Sequence, residues 1–173
     1  MVANIKQIFN NSFFKELNDV SDGICNDNGK QYLKFDSFAK SLKYNGSTVC
    51  SCDTILFEYS KEHIIFVEFK DMNFANSSSD AKDWINEKYN NLCLKITETL
   101  LILMYEIRQH GLCCNDFVDL SKSFFYVYKS KSDYKEAIKT HIGNKLSRYN
   151  FIFKNIKTLD VSNFEIFLRK YNL

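Results

Sequence analysis

The chain has 173 residues, is 45% hydrophobic and 16% aromatic, and carries 23 basic against 21 acidic residues for a net charge of +2. That size and apolar content suit one sizeable core and are too small for two ordinary domains, so a single domain over 1–173 is expected. The longest purely apolar run, residues 100–105, falls far short of the ~20 residues that span a bilayer, and the amino terminus lacks a signal peptide's apolar core, so no membrane partner and a cytoplasmic location are expected.

In the first segment, 4–20, Ile5, Phe9, Phe13, Leu17 and Val20 recur at helical spacing and predict an amphipathic helix on the core. Glu16 falls near the buried face of that helix, with a solvated boundary glutamate as the plain alternative. Residues 22–30 read as a loop. Phe35, Phe38 and Leu42 then predict a short helix, after which Asn45-Gly46 turns the chain into a strand at Thr48.

Two apolar stretches follow, 52–59 and 63–70, joined by the polar Ser60-Lys61-Glu62. Their Ile, Val, Phe and Tyr content predicts an antiparallel hairpin. With Lys61 and Glu62 as a two-residue loop, Ser60 faces His63, Ile55 lies opposite Glu68, and Asp53 opposite Lys70. Asp53, Glu68 and Lys70 then share one face, and Asp53 and Glu68 are diagonal neighbours roughly 7–8 Å apart at Cα. Charges closing apolar strands cost desolvation free energy unless something pairs with them. Two convergent hard-oxygen donors beside a lysine suit Mg²⁺ or Mn²⁺. The alternative is a surface hairpin whose edge carries gatekeeping charges.

A polar stretch at 73–79 ends in Ser79-Asp80, a helix start, and the helix should run to about Gln109, where His110-Gly111 stops it. Trp84, Ile85, Tyr89, Leu92, Ile96, Leu100, Leu103, Met104 and Ile107 make it the central packing helix. Lys82 and Lys88, near its start, either reach phosphate or stay solvated. Residues 123–129 predict an aromatic strand, 133–149 a second helix and 150–159 a further strand. Ser162-Asn163-Phe164-Glu165 reads as a capping box opening the last helix. The sum is an α/β domain, a mixed central sheet flanked by helices.

Charge is unevenly spread. Residues 1–120 hold 12 Lys+Arg against 17 Asp+Glu, and residues 121–173 hold 11 against 4. Lys129, Lys131, Lys135, Lys139, Lys145 and Arg148, with Lys154 and Lys157, are interleaved with tyrosines, as on a surface that tracks a phosphate backbone. Solvated helix faces carry lysine too. The six cysteines are expected as free, mostly buried thiols, against the alternative of a zinc or iron–sulfur site at Cys50, Cys52 and Cys113-Cys114.

At Asp53, fourteen intervening residues, then Glu68-Phe69-Lys70, the chain resembles the PD-(D/E)xK nuclease superfamily, with Cys52 where the motif's name has proline. Asp80-Ala81-Lys82 and Asp133-Tyr134-Lys135 repeat the tripeptide, but in polar, helix-initiating surroundings. The resemblance implies a restriction-endonuclease-like αβββαβ core. It also implies a divalent ion, Mg²⁺ or Mn²⁺, on Asp53, Glu68 and the Phe69 carbonyl, a further ligand from the first helix at Glu16, and Lys70 positioning or activating the attacking water. The expected activity is phosphodiester hydrolysis, most naturally of DNA by an endonuclease, with dimerisation or a partner subunit supplying specificity. The rival is a non-catalytic nucleic-acid-binding or regulatory protein that keeps the same fold.

Overall fold

A computed structural model describes residues 1–42, 49–131 and 134–173. Its centre is a six-stranded sheet with strands in chain order: β1 (Phe14–Glu16), β2 (Gln31–Lys34), β3 (Thr54–Glu58), β4 (His63–Asp71), β5 (Ser121–Lys129) and β6 (Asn155–Asp160). β1 to β4 form an antiparallel meander, whereas β4, β5 and β6 run parallel. Around the sheet, among the described residues, lie α1 (Val2–Gln7), α2 (Leu17–Val20), α3 (Phe35–Ser41), α4 (Ser78–Gln109), α5 (Cys114–Asp119), α6 (Lys135–Leu146) and α7 (Val161–Tyr171). Parallel neighbours need long crossovers, which α4 with α5 supplies from β4 to β5 and α6 from β5 to β6.

Strand alternation splits the core into two layers. Ile55, Phe57, Ile64, Phe66, Phe124 and Tyr126 pack with α1, α3, α4 and α6, while Leu56, Ile65, Val67, Phe125 and Val127 meet α2 and α7. Because β4 and β5 are covered on both faces, they read as nearly continuous apolar runs. The expected α/β class, with a mixed sheet between helices, is the architecture observed. None of the described helices is long and apolar enough to cross a membrane.

The central helix ends where expected, Gly111 at φ +70 following Gln109 and His110, but it starts earlier: the cap is Ser77, whose side chain accepts from the Asp80 N–H at 3.0 Å, not Ser79.

The first segment differs. Instead of one helix over 4–20, α1 ends at Gln7, a 3-10 turn spans Asn11–Phe13, and β1 and α2 follow. The cause is Asn10, whose side chain accepts from the Ser12 N–H at 2.9 Å and competes with helical pairing. β1, β2 and α5 are too short for the sequence pattern to show. β6 begins at Asn155 rather than 150, after the 3-10 turn Ser147–Tyr149. The last helix is capped by Asp160, which accepts from the Asn163 N–H at 2.9 Å, not by Ser162. The turn at Asn45-Gly46, the strand start at Thr48 and the helix start at Asp133 lie outside the described residues.

The hairpin register also differs. Glu58, not Ser60, faces His63, and Ile55 faces Phe66. Its connection uses four residues, a 3-10 turn at Tyr59–Lys61 and Glu62 in the left-handed region at φ +47, instead of two. A shift of two residues keeps every side chain on its expected face but changes who sits opposite whom.

Candidate active site

Asp53 stands one residue before β3 and is tied down by backbone and side chain alike. Its N–H donates to the Val67 carbonyl (3.1 Å), its own carbonyl accepts from the Phe35 N–H (2.9 Å), and its Oδ2 accepts from the Phe69 N–H (2.7 Å). Asp53 lies just before the last pair of the β3–β4 ladder, Thr54 opposite Val67, and alternation puts it on the face of Ile55 and Phe66. Lys95, which reaches both side chains, shows that the Asp53 and Glu68 carboxylates converge there.

Two carboxylates so placed, Glu68 buried and Asp53 half-buried, repel, and a lysine answers them. Lys95, from the middle of α4, has Nζ 2.6 Å from Glu68 Oε1 and 3.6 Å from Asp53 Oδ1. Burial above all, then the charge of Asp53, pushes the Glu68 carboxyl up to about 8, although Lys95 offsets part of the rise. Burial also raises Asp53, against the pull of Lys95 and the Phe69 N–H. For Lys95, burial opposes the charge, but the two carboxylates outweigh it and hold the ammonium above the ordinary lysine range. The sequence reading missed Lys95. Its signal was spacing: seven residues after Lys88, it lies on the same flank of the α4 apolar stripe.

Glu68 is only 7% exposed, and its Oε2 has no hydrogen-bond partner among the described residues. A buried carboxylate oxygen left alone is costly, and a hard cation would satisfy it.

Beside Glu68 opens a cleft of about 320 Å³ between β4, β5, α4 and α6, lined by Lys70, Trp84, Lys88, Tyr89, Lys95 and Tyr126 among others. Lys70 shares Glu68's face and places Nζ 4.8 Å from the Trp84 ring centroid. Tyr126 pairs with Glu68 across the β4–β5 ladder. Outside the lining itself, the Lys145 Nζ stands 4.6 Å from the Tyr89 ring, and Arg148 adjoins the same tyrosine. Of the predicted triad, Glu68 and Lys70 line the cleft and Asp53 is joined to Glu68 through Lys95, while Lys88 is the expected nucleic-acid-binding lysine in the same lining.

Other expected site residues go elsewhere. Glu16 is exposed in β1, two strands from β3, and its carboxyl is raised first by a hydrogen bond with Asp27 and by that residue's charge. It is not on a first helix and does not join Asp53 and Glu68, because the helix that would have carried it is broken at Asn10. Phe69 turns its ring to the opposite face, 5.4 Å from Phe164, while its N–H serves Asp53.

The basic residues divide between surfaces. Lys129 alternates onto the Phe125 and Val127 side of β5, away from Glu68. Lys135 is paired with Asp160 at 3.4 Å and Lys139 with Glu136 at 3.7 Å, both lining a separate recess between α6 and α7. Lys131 donates to the Ala75 carbonyl at 3.5 Å, and Lys82 is exposed on the first turns of α4 near His141.

At the opposite end of β4, Glu58 Oε2 lies 3.1 Å from His63 Nδ1, and His63 Nε2 lies 2.9 Å from Ser123 Oγ. The order carboxylate, imidazole, hydroxyl is that of a hydrolytic triad, but Ser123 is 0% exposed. The network ties β3, β4 and β5 together instead. All six cysteines are free: Cys25 and Cys52 are buried, Cys113 is exposed and the others are intermediate, so burial is less general than expected. Among the described residues no three His, Cys, Asp or Glu side chains form a ready metal cage.

No protein-family model matches the chain, and neither curated proteins nor solved structures give a match.

Proposed function

We propose that the protein is a metal-dependent phosphodiester hydrolase of the PD-(D/E)xK type, acting as an endonuclease on DNA. The observation that carries this reading is the convergence of Asp53 with the buried Glu68, one of whose oxygens has no partner among the described residues, beside a cleft that holds Lys70 and Lys88. The chain order α2, β2, β3, β4, α4, β5, with α3 and α5 as insertions, supports an αβββαβ core.

Asp53, Glu68 and the Phe69 carbonyl would hold Mg²⁺ or Mn²⁺. These hard-oxygen donors fit such an ion, and Mg²⁺ commonly takes only one or two protein carboxylates, completing its shell with water and substrate phosphate. When bound, the ion supplies a polarised phosphate oxygen and a water of lowered pKa. The chain's own groups do the rest. Lys70 directs positive charge at the phosphoryl oxygens, Lys88 holds the neighbouring phosphate, and the Phe69 N–H fixes the rotamer of Asp53. Lys95 neutralises the carboxylates in the metal-free protein.

A specific observation favours a second reading. Lys95 already occupies the position between the carboxylates, as it would in a non-catalytic nucleic-acid-binding relative. An assay on supercoiled plasmid, single strands and branched DNA with Mg²⁺ or Mn²⁺, against an EDTA control and the Asp53→Asn variant, separates the two. Metal-dependent cleavage absent from the variant supports the nuclease; binding without cleavage supports the rival.

A further inference from the structure

We propose that the cleft beside Glu68 is a subsite for one unpaired nucleotide, so that the protein's substrate is single-stranded nucleic acid. The identity of the reaction rests on the nuclease reading above; the binding does not.

The lining carries the argument. The half-buried Trp84 and Tyr89 supply aromatic surface, whereas Lys70 and Lys88, the latter paired with Glu87, supply positive charge and Asn91 an amide. Lysines alone would suit any phosphate, and aromatic walls alone any apolar ring. Their combination in one cleft calls for a ligand that is planar and anionic at once, which a nucleotide is. The volume, about 320 Å³, sits at the small end of ligand clefts and admits one base with its sugar, not a stacked run. Glu68 and Lys95 line the same cleft, so a base seated against Tyr89 brings its phosphate into the space that they also line.

The strand preference follows from the shape. A base in a duplex is stacked and paired, and reaching this cleft would require extruding it, whereas an unpaired base enters without that cost. Base–aromatic stacking tolerates every base, so the subsite selects single strands over duplex with little sequence preference.

The chain's one tryptophan is Trp84, which makes its fluorescence a report on this cleft alone. Metal-free protein in EDTA is titrated with a short oligothymidylate, a blunt hairpin duplex, thymidine monophosphate and inorganic phosphate. The oligothymidylate should quench Trp84 and bind about tenfold or more tighter than the duplex, with thymidine monophosphate weaker and phosphate silent. Tyr89→Ala should weaken the oligothymidylate about tenfold, while Tyr89→Phe, which keeps the ring, binds like wild type. Lys88→Ala, at an exposed position, should weaken it without altering the fold. Equal affinity for duplex, equal quenching by phosphate, or an unaffected Tyr89→Ala overturns the proposal. Thymidine monophosphate binding as tightly as the strand overturns it in favour of a free-nucleotide site. Because these titrations involve no cleavage, tight single-strand binding by an inactive protein refutes the nuclease reading alone, and cleavage with no strand preference refutes this subsite alone.

Discussion

Lys95 Nζ lies 2.6 Å from Glu68 Oε1, and it spans the gap to Asp53 Oδ1, 3.6 Å away. A helix thus delivers a positive charge to the spot where two sheet carboxylates converge. Without it, the buried Glu68 and the half-buried Asp53 would converge with no ammonium between them. With it, any divalent ion must compete with an ammonium already present, and that competition makes the site measurable even without a substrate.

Lys95→Met should therefore have opposite effects on fold and on ion. The metal-free protein should lose about 1–3 kcal/mol, the cost of stranding buried charge. Mn²⁺ affinity, read by calorimetry, should rise because the competitor is gone. Unchanged stability together with weaker Mn²⁺ binding would show that Lys95 supports the ion instead of displacing it.

Asp53→Asn and Glu68→Gln should each take cleavage to background and reduce Mn²⁺ affinity. Asp53→Ala is a poorer test, since it leaves the Phe69 N–H without its acceptor at a cost of about 1–3 kcal/mol. Glu16→Ala should leave Mn²⁺ binding as it was. A change there would return Glu16 to the site.

The metal-free protein should lose stability as pH rises. Glu68 is raised from an ordinary 4.5 to about 8, so the folded state holds that proton more tightly than the unfolded chain does. Its contribution is full below pH 4.5 and falls as pH climbs through 8. His63 works the other way, since burial lowers it and its contribution is lost as pH falls below the ordinary 6.5. The useful readout is thus the difference in melting temperature between wild type and Glu68→Gln in EDTA. The variant should gain on the wild type with rising pH, and a constant difference would rule out the shifted carboxyl.

Lys70→Ala keeps both carboxylates and removes a cleft cation. Mn²⁺ binding should persist while cleavage falls by a factor of about 10²–10⁴. Wild-type cleavage would reduce Lys70 to a neighbour of Trp84, and complete loss of Mn²⁺ would make it part of the ion site.

Charge reversal should distinguish the two basic surfaces. Lys88→Glu, in the cleft, with Lys145→Glu, over the ring of Tyr89, should weaken nucleic-acid binding and flatten its salt dependence by about one unit of slope per lost contact. Lys135→Glu with Lys139→Glu, at the separate α6–α7 recess, should do neither. Equal losses from both pairs would place the strand on both surfaces.

Elements with long or strongly periodic patterns were legible from residue order alone. α4 was legible because its apolar stripe and its terminating glycine agree over many turns, although its cap proved to be Ser77 and not Ser79. The aromatic strand β5 and the hairpin were legible as apolar runs. Asp53, Glu68 and Lys70 could be assigned to one face because alternation in strands survives a two-residue error in register. What needed the tertiary structure was everything set by contact between distant segments. The four-residue connection, with Glu62 in the left-handed region, set Thr54 opposite Val67 and Ile55 opposite Phe66. A single asparagine at position 10 outweighed a helical pattern and moved Glu16 out of reach. Lys95 joined the carboxylates because α4 packs across β4, a relation invisible in a stretch where it reads as one more lysine on a helix flank. The even-looking basic carboxy-terminal third divided into two surfaces for the same reason: residue order fixes composition, but only packing decides which face of the sheet each charge occupies.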